Sequence, residues 1–252
     1  MKRIIAALAV LCFSGCVVVN LTDYGAVKPI GDREIFEFKV GEYSGIKIEG
    51  ICEIHYYNSR TASDTVILEV ESNLREYYAI EVIQDELVVR TTRRINFSGG
   101  KSAVLTVSTP TLNRLTIDGF GGCFGDNENE YTFTAFDKIT ADSLAVVIRG
   151  AGSSKAELDV KNLSAEISGA GNFKLSGIAD TADLSLSGAG ELDALSLRVR
   201  DATVSLSGAG TLKVNSSEIL RIDASGAGTV EYKGSPSLYI NKNGVVDVKQ
   251  IN

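Results

Sequence analysis

The sequence predicts an all-β chain whose C-terminal half is a β-solenoid. The tripeptide Gly-Ala-Gly occurs five times, beginning at Gly150, Gly169, Gly188, Gly208 and Gly226, at intervals of 19, 19, 20 and 18 residues. A fixed period near 20 residues marks stacked structural repeats. Before each tripeptide alternate positions are apolar: Val146 and Ile148, Ala165 and Ile167, Leu184 and Leu186, Val204 and Leu206, Ile222 and Ala224. Period two is the mark of a strand with one face in the core.

The intervening positions, among them Glu166, Ser168, Ser185 and Ser205, are mostly polar and belong on the solvent side. Beyond each tripeptide the strand resumes with an apolar residue (Phe173, Leu192, Leu212, Val230) and then a charge (Lys174, Asp193, Lys213, Glu231). Stacked rungs bring these charges into one ladder of alternating sign. Such exposed pairs contribute only a few tenths of a kcal/mol each, so they set register more than stability. The tripeptide itself is expected at a tight corner. Glycine tolerates positive φ there, and an alanine such as Ala189 is expected to point inward where stacked backbones leave little room. A ligand cradle is the alternative. However, no tripeptide carries the downstream glycine of a dinucleotide fingerprint or the Gly-Lys-Ser/Thr ending of a phosphate loop. The residues that follow, Ser153, Asn172, Glu191, Thr211 and Thr229, also lack the aspartates of calcium-binding repeats.

From the N-terminus, Lys2 and Arg3 precede an apolar stretch from Ile4 to Phe13. That stretch has the length of a signal-peptide core and is too short for an ordinary membrane span. It ends at Phe13-Ser14-Gly15-Cys16, which resembles the lipobox of bacterial lipoproteins, with Phe13 where leucine is usual. Residues 1–15 are therefore expected to be a lipoprotein signal and Cys16 the lipid-attachment residue. An ordinary secretory signal cleaved nearby is the alternative, and it exports the chain as well. Residues 16–33 follow as a tether without periodicity. Residues 34–110 form an N-terminal β-rich part with strands at Glu34–Val40, Gly45–Tyr57, Thr65–Glu71, Ile80–Ile83, Leu87–Thr92 and Ala103–Ser108, and one helical turn at Asn73–Tyr78. Residues 111–252 hold the repeats.

A corner-like glycine, Gly119, precedes Gly150 by 31 residues, about 12 more than one rung. An insertion lies there, with Phe120, Cys123, Phe124 and the acidic run Asp126 to Glu130. It is a solvated loop, or else a contact surface or weak cation site.

A formal net charge of -7 works against a nonspecific grip on nucleic acid, and no nucleic-acid partner is expected. His55 is the sole histidine of the chain, which excludes a histidine-clustered zinc site. No catalytic residue, metal ligand or cofactor is assigned. Glu49 with Glu53, and Asp118 with Asp126, are near in the chain but are not designated a catalytic pair. Cys12 leaves with the signal, so Cys52 and Cys123 remain either as a candidate disulfide or as two buried thiols. Of 18 Phe and Tyr residues, 15 precede residue 137, so contact area is sought in the N-terminal half. Tyr56, Tyr57, Tyr77 and Tyr78 are candidate surface residues, because adjacent residues on a strand face opposite ways. Phe120 and Phe124 join them.

Three features together resemble the family of putative auto-transporter adhesins with a head GIN domain, over roughly Ile35 to Gln250. They are the segment Tyr43 to Gly50, the segment Ala103 to Leu112, and the serial Ser-Gly-Ala-Gly turns at Ser168, Ser187, Ser207 and Ser225. The resemblance implies a right-handed parallel β-helix-like fold and supplies no catalytic residues. The expected function is a lipid-anchored envelope or cell-surface binding or adhesion module without catalysis. Its partner would be an envelope or host glycan or protein, its membrane contact the N-terminal lipid, and its place the outer membrane, with the face left open. A structural envelope component, or a carbohydrate-active enzyme on a β-helix, is the alternative; the latter chemistry needs only two carboxylates.

Overall fold

The structure, a computed structural model, describes residues 26–59, 64–97, 101–120 and 132–251. Cys16, Cys123, Phe124 and Asp126 lie outside the described residues, as does the side chain of Phe120. The chain is nearly all β and forms a solenoid of about 6 turns. Its strands are β1 (Arg33–Lys39), β2 (Gly45–Glu49), β3 (Glu53–Asn58), β4 (Thr65–Glu71), β5 (Tyr78–Ile83), β6 (Glu86–Thr91), β7 (Val104–Thr109), β8 (Arg114–Phe120) and β9 (Phe133–Ala135). The long rungs follow as β10 (Ile139–Ala151), β11 (Ser153–Gly169), β12 (Asn172–Gly188), β13 (Glu191–Gly208) and β14 (Thr211–Gly226). The chain closes with β15 (Thr229–Lys233), β16 (Ser237–Gly244) and β17 (Asp247–Gln250).

Parallel pairing stacks these strands into two walls. One wall runs β6, β2, β8 and then the C-terminal halves of β10 to β14, ending on β16. The other runs β7, β3, β9 and then the N-terminal halves of β11 to β14, ending on β15 and β17. The N-terminal β-rich part is thus continuous with the repeats, since β2 lies on β8 and β3 on β9. Gly50 divides the expected strand Gly45–Tyr57 into β2 and β3 because it forms a corner of its own: a Cβ there would lie 2.9 Å from the Thr91 backbone nitrogen. Gly119 pairs in register with Gly150, the first tripeptide glycine. Val27, within the segment 16–33 expected to be a tether, packs on the core and bonds Arg94 and Asn96 through its backbone.

The core fills the space between the walls. In β11, Ser154, Ala156, Leu158, Val160, Leu163, Ala165 and Ile167 are buried while Lys155, Glu157, Asp159, Glu166 and their like are exposed. All of the apolar residues that flank the Gly-Ala-Gly tripeptides, from Val146 to Val230, are buried. Full burial of each leucine, isoleucine or valine stabilises by roughly 1.5–3 kcal/mol. In β11 the alternation slips once, where Lys161 and Asn162 are both exposed, and this is a second corner. Side chains staple it: Thr181 Oγ1 donates to Asn162 Oδ1 at 2.9 Å, and Lys161 meets Asp142 at 2.6 Å.

The first corner is closed by backbone alone. The N–H of Ala189 donates to the Gly169 carbonyl at 3.0 Å, and the N–H of Glu191 donates to the Gly171 carbonyl at 3.0 Å. The same two bonds recur from rung to rung up to Val245 and Asp247. Both glycines are required for it. Gly188 has φ +137, and a Cβ on it would sit 2.2 Å from the Gly169 oxygen; a Cβ on Gly190 would sit 2.2 Å from the Gly171 oxygen. The alanine between them does the opposite of what the sequence led us to expect. Ala170, Ala189, Ala209 and Ala227 are exposed at the apex, and it is the second glycine that is buried. Turning inward at a corner this tight takes the backbone, not the methyl group, into the core.

The charge ladder forms in register: Lys174 opposite Asp193, Asp193 opposite Lys213, Lys213 opposite Glu231 and Glu231 opposite Lys249. Its close contacts are partly diagonal, because Lys213 reaches Glu191 at 2.6 Å while Lys249 takes Glu231 at 2.9 Å.

Substituting Gly190→Ala must push two rungs apart and should cost about 1–3 kcal/mol. At roughly 2–4 °C per kcal/mol for a domain of this size, that is a fall of several degrees in the melting temperature. Ala189→Phe, at the exposed apex, and Lys213→Ala, on the ladder, should each change stability by no more than a few tenths of a kcal/mol. Thermal unfolding of the three variants checks this, and equal loss at Ala189 and Gly190 would contradict the corner geometry.

Candidate contact surface

The sequence of β3 alternates, so Ile54 and Tyr56 enter the core while His55 and Tyr57 face out. β3 lies between β7 and β9 in one wall, and the chain just past β9 is tied to it. The Phe136 N–H donates to the Tyr56 carbonyl at 2.9 Å, the Asn58 N–H to Asp137 Oδ2 at 3.1 Å, and Asn58 Nδ2 to the Lys138 carbonyl at 3.0 Å. These bonds hold Phe136 against β3. Its ring stacks on Tyr57 with centroids 5.2 Å apart and planes 7° from parallel, and the His55 ring meets it edge-on at 4.9 Å. Phe136 is 53% exposed and Tyr57 38%. Around the rings stand polar groups: Glu53, whose carboxylate lies 2.7 Å from His55 Nε2, and Asn58, Asp137 and Lys138, the last 3.3 Å from Glu157. A rigid aromatic centre with a hydrogen-bonding rim is the make-up of a contact surface, since such rings supply large apolar area and stack on a partner at little entropic cost.

Of the residues the sequence offered for contact, the structure keeps Tyr57 at this surface and removes two others. Tyr56 is fully buried, its hydroxyl donating to the Thr109 carbonyl at 3.1 Å, and Tyr78 is 3% exposed, its hydroxyl donating to the Ile51 carbonyl at 2.7 Å. Burial pushes the phenol pKa of both well above the ordinary value. Strand parity selects one of each adjacent pair for the core, and here it selects these two. Tyr77 is half-buried at the end of a 3-10 turn, Ser72–Tyr77, that leads into β5, and β5 belongs to the other wall through β6. It does not join the rings. Phe124 lies outside the described residues, as does the Phe120 side chain. The two rings that complete the cluster, Phe136 and His55, were not in the expected set. His55 carried the parity signal of Tyr57, but Phe136 approaches only because β9 stacks on β3.

The opposite wall carries charge instead. In-register pairing aligns Arg90, Glu49, Asp118 and Arg149 across four strands. Glu49 is 2.5 Å from Lys47 and 2.6 Å from Arg90, Arg90 is 2.9 Å from Glu81, and Asp118 is 2.8 Å from Arg149. Hydrogen bonds from Lys47, then Arg90, hold the Glu49 carboxyl below its ordinary range. Glu49 and Glu53 therefore serve separate partners, Glu53 meeting His55. Among the described residues no group of three or more His, Cys, Asp or Glu is arranged to hold a metal ion. Cys52 is 1% exposed, and as a thiol its pKa is pushed up to about 12 by burial. Its candidate disulfide partner, Cys123, lies outside the described residues.

Residues 42–236 match the family described as "Putative auto-transporter adhesin, head GIN domain". Solved structures share the fold over 90% of this chain and 100% of their own. A "putative adhesin" from Bacteroides fragilis is 26% identical with a TM-score of 0.79. A "putative lipid binding protein" from Parabacteroides distasonis is 19% identical with a TM-score of 0.69, and a "putative adhesin" from Parabacteroides merdae is 19% identical with a TM-score of 0.66. Among curated proteins none matches the chain in sequence.

Removing one hydroxyl separates the two neighbouring tyrosines. Tyr56→Phe orphans the buried Thr109 carbonyl on one side and should cost about 1 kcal/mol, whereas Tyr57→Phe, on the surface, should stay within about 0.5 kcal/mol of wild type. Denaturant midpoints measure both, and the reverse order would place the wrong ring in the core.

Proposed function

This chain belongs to the putative auto-transporter adhesin, head GIN domain family, and we propose that it works as a lipid-anchored binding or adhesion module of the cell envelope, without catalysis of its own. The observation that carries this reading is the exposed cluster of Tyr57, Phe136 and His55, held on two stacked strands and rimmed by polar side chains. Stacked strands give such a surface the rigidity that contact needs, because its shape is set before a partner arrives. A glycan or a protein of the envelope or host is the partner class that suits aromatic rings with a hydrogen-bonding border. The carboxylates support a non-catalytic role. Glu49 and Asp118 stand opposite each other on β2 and β8, but Arg90 engages the first and Arg149 the second, and Lys249 engages Glu231, so none of the three is left as the free acid that glycoside hydrolysis would ask. Cys16, following Phe13-Ser14-Gly15, is the residue proposed to carry the lipid.

One comparison tests both halves of the proposal. The wild-type chain, a Tyr57→Ala/Phe136→Ala variant and a Cys16→Ser variant are assayed for membrane partition and for binding to a panel of glycans and envelope proteins. The aromatic variant should lose binding at least about tenfold, as for removal of an aromatic anchor, and stay in the membrane fraction with its melting temperature unchanged. Cys16→Ser should keep binding and leave the membrane. Undiminished binding by the aromatic variant would move the contact elsewhere on the molecule, and undiminished membrane partition of Cys16→Ser would end the lipid assignment.

A further inference from the structure

The described chain enters the solenoid at its N-terminal end, where β5 and β6 finish one wall and β4 and β1 the other. Val27 bridges Ile95 in parallel, its N–H donating to the Arg94 carbonyl and its carbonyl accepting from the Asn96 N–H, both at 2.9 Å. The 3-10 turn Ser72–Tyr77 joins β4 to β5 across this end, with Leu74 fully buried beneath it. Asn73 of that turn clamps the incoming chain: its Nδ2 donates to the Lys28 carbonyl at 2.9 Å, and its Oδ1 accepts the Ile30 N–H at 2.8 Å. Ile30 is thus fixed through its backbone, yet it is 70% exposed. Three segments, 26–32, 72–77 and 92–96, meet on this side of the end. Lys28, Arg75, Arg93 and Arg94 are exposed in them against the acids Asp32 and Glu76, whereas the whole chain holds 25 basic and 32 acidic residues. Asp64 and Asp85, both exposed, lie at the far side of the same end, since β1 runs from the basic side toward Asp64 and β6 runs from Asp85 back to it.

We propose that the basic side of the N-terminal end is the surface that lies on the membrane, its cations on anionic lipid headgroups and Ile30 at the headgroup boundary. The inference rests on the reading of Cys16 as the lipid-attachment residue. Given that attachment, the place where the chain leaves the fold selects the bilayer as the occupant. Residues 17–26 alone separate Cys16 from Val27, and even fully extended they reach no more than about 40 Å. From β6 to β16 the solenoid continues the other way for roughly 35–40 Å at the spacing of stacked strands. A lipid in the bilayer therefore holds the N-terminal end within the reach of the tether, while the C-terminal end is free to stand off. Because the encounter is intramolecular, a weak attraction is enough to settle which side turns to the membrane. Clustered basic side chains supply such an attraction to anionic lipid. A fixed apolar side chain among them adds burial at the boundary, as on surfaces that lie in a membrane interface.

The full chain is reconstituted into vesicles with the fluorophore NBD on Ile30→Cys, or on Val245→Cys at the far end of the solenoid, where Val245 is 84% exposed. Both carry Cys123→Ser, and Cys52 is buried, so the label goes to the new cysteine. On vesicles of phosphatidylcholine with phosphatidylglycerol, emission from the Ile30→Cys label should shift to the blue and be quenched by spin-labelled headgroups. The Val245→Cys label should stay aqueous. Adding Arg93→Glu and Arg94→Glu should return the Ile30→Cys label to its aqueous emission. High salt should do the same without those substitutions, because the attraction is screened beyond a Debye length. A chain that floats with the vesicles overturns the inference, and leaves the lipid reading standing, if it shows no shift at Ile30→Cys, an equal shift at Val245→Cys, an equal shift on phosphatidylcholine alone, or a shift that survives both salt and the arginine substitutions. A chain that does not float with the vesicles ends the lipid reading and this inference with it.

Discussion

The fold rests on a backbone hydrogen bond that only glycine permits. At each turn of the solenoid the apical alanine N–H donates to the carbonyl of the first glycine one rung below, at 2.9–3.0 Å from Ala170 to Ala227. A Cβ on the glycine above would lie 2.0–2.5 Å from that same oxygen. Glycine is therefore not there for flexibility but for clearance: it lets two chain reversals nest at the spacing the flanking strands demand, near 4.8 Å. Once the corners nest, register follows. Gly150, Gly169, Gly188, Gly208 and Gly226 pair in succession, and every side chain between them inherits a column.

The columns explain how one wall comes to carry rings and the other charges. Along one, Arg90 and Arg149 flank the adjacent Glu49 and Asp118, so that each carboxylate has a cation on its outer side. On the other, β3 and β9 are neighbours, and that adjacency brings Tyr57 and Phe136 to stacking distance although they come from distant parts of the chain. Rigidity of the stack makes the ring cluster a fixed surface and leaves the ends of the solenoid as the places where pairing stays unfilled.

The corners were legible in the sequence because no other residue substitutes for glycine where a carbonyl sits so close. Strand parity was legible too, so the buried columns from Val146 to Val230 could be read from alternation alone. The orientation of the corner alanine was not: a methyl group suits a crowded interior and an exposed apex equally well. The second corner left no mark either, since Asp142-Ser143, Lys161-Asn162 and Asp180-Thr181 are ordinary surface residues and share only the loss of one step of alternation. For the contact surface, adjacency in the chain told that one of Tyr56 and Tyr57 faces out but not which. Phe136 lay beyond reach, because Asn58 and Asp137, whose hydrogen bond places it, are separated by 79 residues and an insertion.

Amide hydrogen exchange tests the central claim most directly, because it reads the corner hydrogen bonds one at a time. The side chains of Ala170, Ala189, Ala209 and Ala227 are exposed, and in an open turn their amides would exchange within the range of mobile loops. If the nested corner holds the stack together, these four amides should instead exchange as slowly as those of the buried positions Leu186 and Leu206, opening only with the whole domain. Fast exchange at the alanines beside slow exchange at the leucines would contradict the account, since the rungs would then be held by their walls and not by their corners.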